Sequence, residues 1–247
     1  MPDVVGYRAK FGVIIPSTNT VVEHDYNVMR PHGVSCHVGR MYIGDGSAGD
    51  DAAFERLMEQ IRASLDTAVR DVMTCVPDHL VMGMSSETFW GGLAGNDAFM
   101  RRVEGMAGIG VTAGADACRE ACEVLGLQRI GVITPYQPVG DAQVRRFFAD
   151  IGLEVVRLTG LRCDSATAIA DVPEARLRDE IRALDDDDLD GIIQVGTNLS
   201  MLRLADEAER WLCKPVLAIN ALTFWSALRR CGIADRIDGF GSLLRAH

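Results

Sequence analysis

The chain has 247 residues, 48% of them hydrophobic and 24% charged, and a net charge of −10. That balance describes an ordinary globular protein with ample core material, in one large domain or two small ones. It argues against nucleic acid, whose phosphates call for a basic footprint, and no apolar run reaches the ~18 residues of a membrane span.

In chain order, the first element is the apolar strand FGVIIPS (11–17), which ends at a proline. The stretch before it, MPDVVGYRAK, does not read as a signal peptide. A helix follows over NTVVEHDYNVM (19–29), then an alternating strand over VSCHVGRMYI (34–43). A long helix over 54–73 places Phe54, Leu57, Met58, Ile61, Leu65, Val69 and Val72 at helical spacing. A third strand, DHLVMGMSS (78–86), runs out at Gly83. The run GIGVTAG (108–114) lacks the full GxGxxG of a dinucleotide loop and precedes a strand instead of ending one. Cys118 and Cys122 share one face of the next helix, a core position.

The pattern then starts again. IGVITPY (130–136), a helix over 141–151, a strand over 153–161 and a helix over 173–184 repeat the order, and Pro173 suits a first helical turn. The run DDDD (185–188) lacks the spaced ligands and glycine of a calcium loop and reads as a solvated turn. DGIIQVGTN (190–198) ends at Gly196, and KPVLAINALTFWSAL (214–228) answers IGVTAGADACREAC (109–122). Gly12 maps onto Gly131, Pro16 onto Pro135 and Gly33 onto Gly152 at a constant offset of 119, and Gly83 onto Gly196 at 113. Ordered matches of this kind indicate a duplicated unit.

Strands alternating with helices imply a parallel sheet covered on both faces. The expected fold is therefore α/β: two Rossmann-like lobes related by a pseudo-twofold, each a parallel sheet flanked by helices, with a cleft between them. Ligands of such sheets sit beyond the carboxyl ends of the strands. PSTN, MGMSSE, TPY and VGTNLS should thus converge on one pocket.

This combination resembles the Asp/Glu racemase superfamily, and within it the branch of maleate cis–trans isomerase and arylmalonate decarboxylase. GVIIPSTNTVVE looks like that family's first strand and Ser/Asn turn, and GVITPY like its tyrosine-bearing counterpart. MGMSSETFWGG is similar to the decarboxylase turn, and GTNLSM to the isomerase turn of the second lobe. The resemblance implies two lobes (1–112 plus 219–247, and 113–218), with the last helix crossing back onto the first. It also implies a small carboxylate substrate, no cofactor, and cysteine acid/bases at the two third-strand turns. Gly83 and Gly196 stand in those two places here, so the sequence matches neither the two-cysteine racemases and isomerases nor the one-cysteine decarboxylase.

Tyr136, Glu87 and His24 are the candidates for proton transfer in place of thiols. Ser17, Asn19, Gly83, Ser85, Ser86, Gly196, Thr197 and Asn198 are the candidates for holding substrate, by side-chain donors or exposed main-chain N–H groups. Ser, Thr and Asn are equally the common helix N-caps. Phe89 and Trp90 suit either a pocket wall or the core. The five histidines show no HExxH-type spacing, so no metal is expected. Seven cysteines without a CxxC pair fit a reduced, cytoplasmic protein. No membrane or nucleic-acid partner is expected, and homo-oligomers are left open.

The leading expectation is a cofactor-independent isomerase or decarboxylase-like lyase acting on a small carboxylic or dicarboxylic acid through a carbanion or enediolate, without cysteine. The alternatives are a non-catalytic carboxylate-binding protein on the same frame, and a diverged hydrolase or hydratase.

Overall fold

The structure, a computed structural model, describes residues 3–247; Met1 and Pro2, the start of the segment read as no signal peptide, lie outside the described residues. The first half runs β1 (Ala9–Pro16), α1 (Val22–Met29), β2 (Val34–Met41), α2 (Asp51–Met73), β3 (His79–Met82), α3 (Ser86–Phe89), α4 (Gly92–Ala107), β4 (Val111–Thr112) and α5 (Gly114–Leu125). The second half runs β5 (Arg129–Thr134), α6 (Pro138–Asp150), β6 (Glu154–Gly160), α7 (Glu174–Leu184), β7 (Gly191–Gln194), α8 (Leu202–Leu212), β8 (Val216–Ala218), α9 (Ile219–Arg230) and α10 (Ser242–Ala246).

Two parallel sheets form, ordered β2-β1-β3-β4 and β6-β5-β7-β8. The order is the same in each half, as a duplication requires. Gly33 and Gly152, which precede β2 and β6, both have φ of +83°, a conformation glycine adopts without steric cost. β1, β3, β5 and β7 are buried almost throughout because helices cover both faces. On α2 the predicted apolar stripe from Phe54 to Val72 faces inward as read.

Two details differ from the sequence reading. The sixteen-residue helix α4 has no counterpart in it, because Gly92, Gly95 and Gly105 dilute its helical pattern. Pro173 sits just outside α7 as its N-cap.

The halves are stitched together through loops and aromatic side chains. An antiparallel bridge joins Ser47 and Ser165, with Ala48 N–H on the Asp164 carbonyl at 2.8 Å and Ala166 N–H on the Gly46 carbonyl at 2.7 Å. Phe89 packs edge-on to Phe147 of α6, centroids 5.1 Å apart. Helix α9 leaves β8 and packs on first-lobe elements: Phe224 meets Phe11 at 5.9 Å and Tyr26 at 5.0 Å. Among the described residues no helix is long and apolar enough to cross a membrane, and no cluster of three His, Cys, Asp or Glu side chains is placed to hold a metal ion.

Candidate active site

The carboxyl ends of β1, β3, β5 and β7 meet around one cavity. Pro16, Thr18 and Asn19 enter from the first turn, Met84, Ser85 and Ser86 from the third, Pro135 and Tyr136 from the fifth, and Gly196, Thr197 and Asn198 from the seventh. About 50 Å³ of it is open to the centre of a water molecule, against the ~10–15 Å³ that one water needs on that measure. The space suits a small molecule. Phe54, Leu57 and Ile61 of α2, with Ala166 and Ile169, form its apolar side. None of the lining residues carries a charged side chain or a thiol.

At the centre, Ser85 Oγ and Tyr136 Oη lie 2.6 Å apart, both buried. Thr197 N–H donates to Ser85 Oγ from the other lobe at 3.3 Å. The two hydroxyls own two protons, and one is consumed in the bond between them. One O–H is therefore left over, on Ser85 or on Tyr136 according to which way that bond runs, and both residues line the cavity. Ser85 is available for this because, although it stands at the N-cap of α3, its side chain makes no capping bond. Burial raises the Tyr136 phenol well above its ordinary range, against the lowering effect of the Ser85 hydrogen bond. Tyr136 is thus a neutral donor throughout the physiological range, not a resting base.

The tyrosine turn is held from behind. Tyr136 N–H donates to Thr134 Oγ1 at 3.2 Å, and Thr134 Oγ1 in turn donates to the buried Asp141 carboxylate. Arg162 bridges Asp141 and the Tyr136 carbonyl. Burial nonetheless holds the Asp141 carboxyl above its usual range.

The seventh-strand turn is built from backbone. Gly196 has φ of +123°, and a Cβ there would lie 2.5 Å from Pro135 Cδ. Gln194 Nε2 ties down the Gly196 carbonyl at 2.7 Å. Among the described residues, the main-chain N–H groups of Met84, Ser85, Ser86, Gly196 and Asn198 have no protein acceptor, so five fixed dipoles stand at the ends of β3 and β7.

The expected site residues divide. Ser85, Ser86, Tyr136, Gly196, Thr197, Asn198 and Asn19 all line the cavity. Two of them have side chains already engaged as braces between lobes. Asn19 Oδ1 accepts Val21 and Val22 N–H at 3.0 Å each, and its Nδ2 donates to Thr197 Oγ1 at 3.3 Å. Asn198 Oδ1 accepts Thr20 N–H at 3.0 Å, and its Nδ2 donates to the Ala166 carbonyl at 2.9 Å. Gly83 lies behind the lining, where an added Cβ would meet Ile15 Cγ2 at 2.6 Å. Ser17 Oγ accepts Ile43 N–H at 3.0 Å and stands outside the lining, as does Glu87, which pairs with Arg62 at 2.8 Å. His24 is exposed and lines a separate hollow with Asp25 and Arg203. Phe89 is core, and Trp90 stacks behind Phe54 with centroids 6.3 Å apart.

The apolar wall was not singled out by the sequence. Phe54, Leu57 and Ile61 carry the same signal as the remaining core face of α2, and nothing local marks which turn of that helix meets the cleft.

The arylmalonate decarboxylase family profile matches residues 12–244. Maleate isomerase of Pseudomonas putida is 24% identical over 250 residues, covering 95% of this chain and 96% of that protein. The Nocardia farcinica maleate isomerase is 24% identical over 247 residues, covering 96% and 95%. Among solved structures, a variant of N. farcinica maleate cis–trans isomerase with a covalently bound succinylcysteine intermediate superposes with a TM-score of 0.87 at 20% identity, over 96% of this chain and 98% of that one. Arylmalonate decarboxylase superposes with a TM-score of 0.80 at 22% identity, over 96% and 100%.

Proposed function

This chain belongs to the arylmalonate decarboxylase family and is an enzyme of the maleate isomerase and arylmalonate decarboxylase type, and on that premise we propose that it works on a small carboxylic or dicarboxylic acid without a cofactor and without a catalytic cysteine. The observation that carries this reading is the Ser85–Tyr136 pair facing the N–H groups of the 196–198 turn in a cavity with no thiol and no charged lining side chain. Neutral donors fixed in a buried site stabilise charge that develops on a carboxylate as it becomes an enediolate, and one such donor contributes ~2.7–4 kcal/mol at the transition state.

Loss of carbon dioxide is the reaction this arrangement favours. The bond from the α-carbon to one carboxylate breaks, and its electron pair stays on the α-carbon and spreads onto the remaining carboxylate as an enediolate. Carbon dioxide leaves. The single free O–H of the Ser85–Tyr136 pair then delivers a proton to the α-carbon and is replaced from solvent. The apolar face of Phe54, Leu57, Ile61 and Ile169 suits the departing group, which sheds its charge. Isomerisation through a covalent thiol adduct has no nucleophile in the cavity to start from.

The test is to incubate the protein with a panel of malonates, maleate and related acids in D₂O, following carbon dioxide release and deuterium at the α-carbon. Turnover with deuterium incorporation is expected, and Tyr136→Phe should slow it ~10²-fold or more. Binding without turnover across the panel would favour a carboxylate-binding protein instead.

A further inference from the structure

A buried carboxylate that this reaction does not use stands behind the second-lobe turn. Asp25, on α1, is 3% exposed. Its Oδ2 accepts from Asn220 Nδ2 at 2.8 Å, and the same nitrogen donates to the Thr197 carbonyl at 3.0 Å. Both hydrogens of that amide are thereby committed. Asn220 itself lies in the first turn of α9 and is 2% exposed. Three separate parts of the chain thus meet on one nitrogen: the first-lobe helix, the crossing helix and the catalytic turn.

The consequence for the site follows from peptide geometry. In a trans peptide the carbonyl of one residue and the N–H of the next point in opposite directions. Fixing the Thr197 carbonyl toward Asn220 therefore aims the Asn198 N–H away from it. Thr197 and Asn198 both line the cavity, and the Asn198 N–H has no protein acceptor among the described residues. If the amide of Asn220 lost its acceptor on Asp25, it would be free to turn, and the Asn198 N–H would lose its fixed direction.

We propose that Asp25 is a positioning residue for this enzyme: through Asn220 it holds the Thr197–Asn198 peptide so that its N–H faces the anionic substrate. This inference rests on the reading of the 196–198 turn as the anion-holding element. An acceptor at position 25 is what the arrangement needs, so the nearly isosteric Asp25→Asn, whose amide oxygen can still accept, should substitute for it. Asp25→Ala should not.

The probe is malonate. Its affinity is measured by calorimetry, and the Asn198 amide is followed by NMR, in the wild type, Asp25→Ala, Asp25→Asn and Asn220→Ser. The wild type should bind malonate with a shift at Asn198. In Asp25→Ala and Asn220→Ser the affinity should fall about tenfold with the Asn198 shift diminished, and Asp25→Asn should stay within about threefold of wild type. The double variant Asp25→Ala/Asn220→Ser should be no weaker than either single one, because both remove the same link. Wild-type affinity and an unchanged Asn198 shift in Asp25→Ala would overturn the proposal and leave the site reading intact. A wild type that binds malonate with no response at residues 84–86 or 196–198 would overturn both. If Asp25→Ala does not fold, Asn220→Ser and Asp25→Asn decide: a wild-type Asn220→Ser, or an Asp25→Asn as weak as a full loss, refutes it.

Discussion

At the end of β3 the chain passes through Gly83, and at the end of β7 through Gly196. The duplication makes these equivalent places, yet each glycine is there for a different reason. At position 83 the obstacle to a side chain is other side chains: an added Cβ would meet Ile15 Cγ2 at 2.6 Å and Val22 Cγ1 at 3.0 Å. At position 196 the obstacle is the backbone itself, with φ of +123°, as well as the Pro135 ring. The first lobe therefore turns regularly and offers the hydroxyl of Ser85. The second turns in a conformation that L side chains rarely adopt and offers main-chain N–H groups. The third turn thus adds a serine hydroxyl to its free N–H groups, whereas the seventh adds main-chain N–H groups, although both descend from one strand-turn-helix pattern.

This contrast can be broken or sharpened by substitution. The largest effect is expected at Gly196. Gly196→Cys puts an L-residue in a strained conformation, which costs ~1–3 kcal/mol of stability, and it displaces the backbone donors, so turnover should fall ~10²-fold or more. A Gly196→Cys protein with wild-type denaturation midpoint and activity would show that the left-handed turn is not required. Next is Ser85→Ala, which removes the hydroxyl of the third turn: kcat should drop ~10²–10³-fold with stability little changed. Equal losses of stability and activity would mean that Ser85 acts through folding. Gly83→Ala should separate the two turns most directly. Overpacking there costs ~1–3 kcal/mol, read by urea unfolding, while kcat of the folded protein stays within a few-fold of wild type. Asn19→Ala should lose ~1 kcal/mol, because two N–H groups at the start of α1 lose their acceptor.

The smallest effect concerns pH. Burial pushes the Asp25 carboxyl up to about 6, whereas an unfolded aspartate titrates near ~3.9. Between those values the folded state holds the extra proton, so this group makes stability fall as pH rises through the window. Burial pulls the His79 imidazole down to about 4, against ~6.5 unfolded. There the unfolded state holds the extra proton, so this group makes stability fall as pH drops. The two slopes oppose one another in the wild type. Asp25→Asn removes the first, and stability measured by urea midpoint should then rise more steeply from pH 4 to 6. An unaltered profile would show that Asp25 is not buried as a titrating group.

Much of the architecture was legible because its signals are local. An apolar run that stops at proline or glycine marks a strand end, and the repeat of those stops at a constant offset betrays two copies of one unit. The four turns were legible for the same reason, and they do meet around one cavity. Helix α4 was not, since three glycines weaken its pattern and its burial against α2 and α6 supplies what propensity lacks.

The sequence determined which four turns meet at the cavity and that neither Gly83 nor Gly196 can offer a thiol, but not that Gly83, Ser17 and Glu87 stand outside the lining. It did not determine what each side chain does there. Ser85, Asn19 and Asn198 are the same kind of small polar residue, yet Ser85 faces Tyr136 while the two asparagines brace the lobes. Those choices rest on partners 51 to 178 positions away. The same holds for Asp25 and Asn220, 195 apart in the chain. A hydrogen bond is satisfied by whatever atom lies within about 3 Å, and only the folded chain decides which atom that is.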